Sequence, residues 1–172
     1  KTPGVFEIHQ GTTTYRELFE DERYGGGYRD GHSLKMFIPG GASAPWFFPE
    51  QVDLPLEGRV VGGAGSMLGS GAIVVMDETT DAVRACLRVV RFFARESCGK
   101  CTPCREGTSW EEKILQRILD GQGRPSDIDL LLDVADNISP GPYPVAADPS
   151  QGLAAVPFPP KQTTICPLGP SS

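Results

Sequence analysis

The stretch that decides the reading is Ser97-Cys98-Gly99-Lys100-Cys101-Thr102-Pro103-Cys104-Arg105-Glu106-Gly107. Three cysteines recur at every third position, so their thiolates can converge on one small object. Such a run suits a cubane iron–sulfur cluster, which then lacks one ligand. Downstream a single further cysteine remains, Cys166, in Thr163-Thr164-Ile165-Cys166-Pro167-Leu168-Gly169. Cys98, Cys101, Cys104 and Cys166 are read as the four ligands of one [4Fe–4S] cluster, with a remote fourth ligand followed by proline.

A structural Cys₄ zinc site is the rival reading, but zinc modules usually pair their ligands as two separated C-x-x-C knuckles. Disulfides fit poorly, because cysteines this close rarely bridge well and five cysteines cannot all pair. Cys86 is the spare and falls in a helical pattern as a small apolar residue. Arg91, Arg95, Lys100 and Arg105 flank the motif. Cations there would stabilise a reduced, more negative cluster and raise its potential; the plain alternative is a solvated basic helix face.

Working outward, 172 residues suit one domain or two small ones. Glycine (21) and proline (16) are plentiful, so loops are too. A net charge of −6 argues against a nucleic-acid partner. The apolar run Ala72-Ile73-Val74-Val75-Met76 is far too short to span a membrane, and no signal-peptide pattern opens the chain. Cluster-holding thiols belong in a reducing compartment, which gives a cytoplasmic expectation with no membrane insertion. The chain starts at Lys1 and stops six residues after Cys166, so both ends read as cut from a longer polypeptide.

Before the motif, Val5 to Ile8 alternates and predicts a short strand. Thr14 to Asp21 predicts a helix ended by Gly25-Gly26-Gly27. Leu34 to Ile38 predicts a second strand stopping at Pro39-Gly40-Gly41, Arg59-Val60-Val61 a third, and Ala72 to Met76 a fourth that is buried on both faces. That order suggests an α+β unit of the β-grasp kind. The glycine-rich run Gly62 to Gly71 does not form G-x-G-x-x-G or a P-loop, and a strand follows it; it reads as a structural turn.

After residue 78 the pattern becomes helical. Asp81 to Arg95 places Val83, Cys86, Leu87, Val90 and Ala94 on one face, with Thr80 or Asp81 as cap. Ser109-Trp110-Glu111-Glu112 reads as a capping box opening a second helix over Ile114, Leu115, Ile118 and Leu119, stopped by Gly121. A third helix runs from Ser126 to about Ile138, its first turn acidic as the helix dipole favours. Ser139 to Lys161 reads as an aperiodic loop that returns Cys166 to the cluster.

Phe92 to Thr108, with the C-x-x-C-x-x-C run and Arg105-Glu106-Gly107, closely resembles the family of flavoprotein F subunits of NADH-quinone oxidoreductase, which oxidise NADH in bacterial respiratory complex I. Ile38-Pro39-Gly40-Gly41, Gly65 to Asp77 and Thr164 to Gly169 resemble the same family. The resemblance implies a β-grasp (SLBB-like) domain over 1–78 and a helical cluster-carrying bundle over 79–172. It implies that NADH reduces FMN and that single electrons leave through a [4Fe–4S] cluster toward other iron–sulfur subunits of the peripheral arm, and finally quinone. By the match, Cys98, Cys101, Cys104 and Cys166 are the family's ligands, and Pro167 and Leu168 lie near the flavin. The family's FMN- and NADH-binding domain and its flavin loop have no counterpart in these 172 residues, and a fourth helix after the last cysteine is missing. The chain by itself is therefore expected to hold a cluster and not to oxidise NADH. NAD-dependent hydrogenase and formate dehydrogenase subunits share the cysteine pattern, and a zinc or inert-cluster interaction module is the non-enzymatic alternative.

Overall fold

The computed structural model describes residues 1–139, 163–166, 168 and 169. They form a mixture of helices with one small antiparallel sheet, divided between two compact units that meet in sequence at Thr80 and Asp81.

The first unit is built on aromatic packing. Helix α1 (Tyr15–Glu20) starts where Thr14 Oγ1 accepts the Glu17 N–H at 3.1 Å, a side-chain cap on an otherwise orphaned donor. It buries Tyr15, Leu18 and Phe19 against Phe37, Phe47, Val52, Leu56 and Val61. Phe37 is the hub, with ring centroids 4.9 Å from Tyr15, 5.2 Å from Phe19 and 5.6 Å from Phe47. Phe37 belongs to β1 (Leu34–Ile38), which pairs antiparallel with β2 (Val74–Asp77) through Met36↔Met76, Phe37↔Val75 and Ile38↔Val74.

Three strand expectations are corrected here. Residues 5–8 join no strand among the described residues, and Val5 is fully exposed. Alternation alone does not make a strand without a ladder partner. Arg59-Val60-Val61 lies in α2 (Gly58–Gly63), because the Glu57 carboxylate caps the Val60 N–H at 2.9 Å and starts a helix despite the β-branched pair. The fourth predicted strand forms as β2, but Val74 and Val75 are 47% and 43% exposed, so it is not buried on both faces.

The glycine-rich turn does what its pattern suggested. A Cβ on Gly40 would stand 2.3 Å from the Met67 carbonyl oxygen, and one on Gly69 would stand 2.1 Å from that of Gly40. Two backbones touch there, and a side chain would force them apart.

The second unit contains three helices among the described residues: α3 (Ala82–Glu96), α4 (Thr102–Leu119) and α5 (Asp127–Ile138), with α4 packed against both others. Asp81 caps α3 by accepting the Arg84 N–H at 3.1 Å. Leu87, Val90 and Leu115 form the α3–α4 core. At the far end of α4, Gly121 (φ 72°) turns the chain, and Gln122 N–H and Gly121 N–H return to the carbonyls of Arg117 and Ile118. Those two bonds close the helix as a Schellman motif.

The capping-box reading at Ser109 is wrong. Helix α4 opens eight residues earlier, with Cys101 as N-cap and Pro103 in the first turn, where the missing N–H costs nothing. Ser109 is therefore an interior residue. Gly107, a weak helix former, is kept inside α4 by contact: a Cβ there would lie 2.7 Å from Ile138 on α5.

A buried ion pair ties α4 to α5. Arg117 donates to both carboxylate oxygens of Asp127, whose side chain is 2% exposed, and the Arg124 N–H adds a bond at 2.8 Å. The guanidinium, then the amide, hold the Asp127 carboxyl below its ordinary range. Asp127→Ala should lower unfolding stability, because Arg117 then loses its partner and the Arg124 N–H its acceptor. The depressed pKa means this stabilisation is present above the ordinary carboxylate range and fades as pH falls through it. Urea melts of both proteins at neutral and acid pH check this; curves equally far apart at both would contradict it.

Candidate metal centre

The site begins at the junction of α3 and α4. Ser97 closes α3 by donating its N–H to Phe93 O at 3.0 Å. The chain then turns at Gly99, whose φ of 77° suits a residue without Cβ. Arg105 reaches back from α4 and donates from Nη1 to the Gly99 carbonyl at 2.8 Å, so the turn is pinned by the helix that follows it. Cys101 is the N-cap of α4 and Cys104 lies in its first turn. Cys101 and Cys104 thus sit at the positive end of an 18-residue helix, where unpaired N–H groups and the macrodipole favour negative charge, and Cys98 precedes it by three residues.

The remote segment returns to this place. Thr163 Oγ1 donates within reach of the Asn137 and Ile138 carbonyls, at 2.7 and 2.6 Å, and so covers the C-terminal end of α5. The Ile165 N–H donates to Cys101 Sγ at 3.3 Å. Gly169 is buried tightly against Thr164 and Ile138, where a Cβ would lie 2.8 to 3.1 Å from their atoms. Cys166 is carried on this segment. Cys104 is buried, Cys101 half-buried, and Cys98 and Cys166 exposed. Leu168 is half-buried, and Pro167 lies outside the described residues.

The donor set, cysteine sulfurs carried by one helix end and one returning segment, is of a kind that suits a soft metal. Among the described residues, no three of the cysteine sulfurs lie within 4.8 Å of one another.

Two further polar contacts involve Cys104. Ser97 Oγ lies 3.4 Å from Cys104 Sγ, and Thr108 Oγ1 donates to the Cys104 carbonyl at 2.8 Å. Arg91 serves a different purpose from the one its place in the sequence suggested. Its guanidinium is bonded to Glu112 at 3.0 Å and Gln116 at 2.5 Å, so it fastens α3 to α4. Arg95 and Lys100 are exposed.

Ser97, Thr163 and Gly107 were not singled out as site residues from sequence. Ser97 stands directly before the first cysteine, which is a usable signal; Thr163 depends on a contact made by a distant helix, and no local pattern marks it.

Cys104, Thr108, Glu111 and Leu115 form the buried stripe of α4. Glu111 is the surprise in it. The residue is 6% exposed, Oε2 has no hydrogen-bond partner among the described residues, and burial pushes its carboxyl up to about 7. Burial, then the nearby Glu111 charge, push the Cys86 thiol up as well, which suits a spare cysteine and not a thiolate ligand.

Because the folded pKa of Glu111 is raised, the stability tied to its neutral form is complete below the ordinary pKa of 4.5 and is lost as pH rises through about 7. The loss is at most about 3 kcal/mol. Melting temperatures across that window should fall for the parent protein and stay flatter for Glu111→Gln; parallel profiles would show that the carboxyl is hydrated.

Comparison with known proteins shows what the chain is similar to. Residues 84–142 match the family model described as the NADH-ubiquinone oxidoreductase-F iron-sulfur binding region, which takes in Cys98, Cys101 and Cys104. The F subunit of the Mycobacterium bovis NADH-quinone oxidoreductase is 52% identical over 136 residues, covering 79% of this chain and 30% of that protein. The F subunit of the Escherichia coli enzyme is 43% identical over 141 residues, covering 82% of this chain and 31% of that protein. The chain thus spans about a third of the length of these curated relatives. A solved NAD⁺-reducing [NiFe]-hydrogenase in the H₂-reduced state superposes with a TM-score of 0.63 at 24% identity, covering 92% of this chain and 22% of that one, and shares the fold.

Proposed function

We propose, from the premise that this chain is a homologue of the NADH-quinone oxidoreductase F subunits and carries their iron–sulfur binding region, that it is an electron-relay part of an NADH dehydrogenase. Cys98, Cys101, Cys104 and Cys166 would be the thiolate ligands of a [4Fe–4S] cluster. When bound, that group supplies a one-electron carrier between a flavin and the next iron–sulfur centre. In the whole protein electrons would come from NADH through FMN and pass to other iron–sulfur subunits of the peripheral arm, toward quinone.

The observation that carries the reading is the bond from Ile165 N–H to Cys101 Sγ. It brings the segment bearing Cys166 to the helix end that carries Cys101 and Cys104, with Cys98 in the turn just before it. The residues then have distinct tasks. Arg105 fixes the turn between Cys98 and Cys101. The first turn of α4 offers positive potential to the thiolates. Thr163 anchors the returning segment on α5.

The same reading assigns Pro167 and Leu168 to the flavin side of the site and gives the protein a cytoplasmic-side location. No helix of the described residues is long and apolar enough to cross a membrane. It also assigns 1–78 to a β-grasp (SLBB-like) domain and 79–172 to the cluster-bearing one. The β1–β2 pair with α1 packed on its Phe37 face supports the first assignment.

A second reading, a diaphorase subunit of an NAD⁺-reducing hydrogenase, has the structural likeness behind it. Identities of 43% and 52% to the NADH-quinone oxidoreductase relatives favour the first.

Ligand assignment is tested by substitution in anaerobically purified protein. Replacing Cys101 or Cys166 with Ser should remove most of the iron and lower the melting temperature of the helical unit, since metal binding and folding are coupled. Cys86→Ala should keep its iron. Full iron in the Cys166 variant, or its loss in the Cys86 variant, would overturn the ligand set.

A further inference from the structure

Each ligand sulfur of a redox cluster needs something to answer the charge that arrives on reduction. Exposed Cys98 and Cys166 can take water, and Cys101 takes the Ile165 N–H. Cys104 is 7% exposed, so its sulfur must find its donor in the protein.

Ser97 is placed for this. Its Oγ stands 3.4 Å from Cys104 Sγ and also 3.4 Å from the Gly99 amide nitrogen, which donates to it. Directionality follows from chemistry. A metal-bound thiolate carries no hydrogen, so the hydroxyl must donate to sulfur, and its lone pair accepts from Gly99. Amide, hydroxyl and thiolate then form a short chain in which each bond polarises the next. The geometry depends on the fold: Ser97 is the C-cap of α3 and Cys104 lies in the first turn of α4, so the bond spans the junction of two helices.

Hydrogen bonds to ligand sulfur stabilise the more negative, reduced state and raise the potential. In a buried place this effect is larger, since little solvent screens it. We propose that Ser97 is a positioning residue that sets the potential of the cluster, by donating its hydroxyl hydrogen to the buried thiolate of Cys104. The hydrogen stays on Ser97 Oγ throughout; one electron is added and no covalent bond changes. This inference rests on the cluster reading above.

The test is an anaerobic redox titration of the 172-residue chain with dithionite, followed by electron paramagnetic resonance, alongside iron and sulfide content. At the wild-type midpoint, Ser97→Ala should show a reduced-to-oxidised ratio about three- to tenfold lower, tenfold being about 59 mV for one electron. Ser97→Thr, which keeps the hydroxyl, should hold the parent midpoint. Ser97→Val, which has the shape of Thr without the hydroxyl, should shift as Ala does. Unshifted midpoints in Ala and Val at full iron content would overturn the proposal. So would iron lost from both and kept in Thr, because Ser97 would then be a structural post and not a tuner. Parent protein with no iron or sulfide would instead retire the cluster reading itself, a separate failure.

Discussion

The site depends on one constraint: α4 begins inside the cysteine run. With Cys101 as N-cap and Cys104 one turn in, the loop is no free tether but the mouth of a helix. The helix direction fixes where Cys101 and Cys104 stand, its macrodipole favours negative charge there, and Arg105, one residue past Cys104, reaches back to lock the Gly99 turn. Everything else in the second unit supports that mouth. Gly107 admits α5 close beneath it, and the end of α5 in turn receives Thr163 and the segment that carries Cys166.

Much of this was legible in the sequence, and the limits have physical causes. The cysteine spacing is a local pattern, so the proposed ligand set is read from the sequence alone. The two long helices flanking it announced themselves by period, and Asp81 and Gly121 by capping and turning. The start of α4 was misplaced because Ser109-Trp110-Glu111-Glu112 carries a genuine capping pattern, overridden by packing that extends the helix to Thr102. In the first unit, Val60 and Val61 read as strand because β-branching was weighed without the Glu57 cap, and residues 5–8 because alternation was weighed without a partner. Ser97 and Thr163 act through contacts between elements, which no single stretch encodes.

Charge placement shows the same division between local and tertiary information. Four basic residues around the motif looked alike in sequence. In the fold Arg105 holds the turn, Arg91 braces α3 against α4, and Arg95 and Lys100 face solvent. Glu111, a middle residue of the capping-box pattern, proves to be a carboxyl buried in the bundle with an oxygen unpaired among the described residues. Such a group is costly in its charged form, and its place on the same stripe as Cys104 puts a titrating centre within the unit that carries the thiolates.

The measurement that bears most directly on the central claim is iron, acid-labile sulfide and zinc per chain, on protein purified without oxygen. A [4Fe–4S] site predicts about four irons and about four sulfides with no zinc. One zinc with no sulfide would contradict it and leave the helix mouth as a structural metal knuckle.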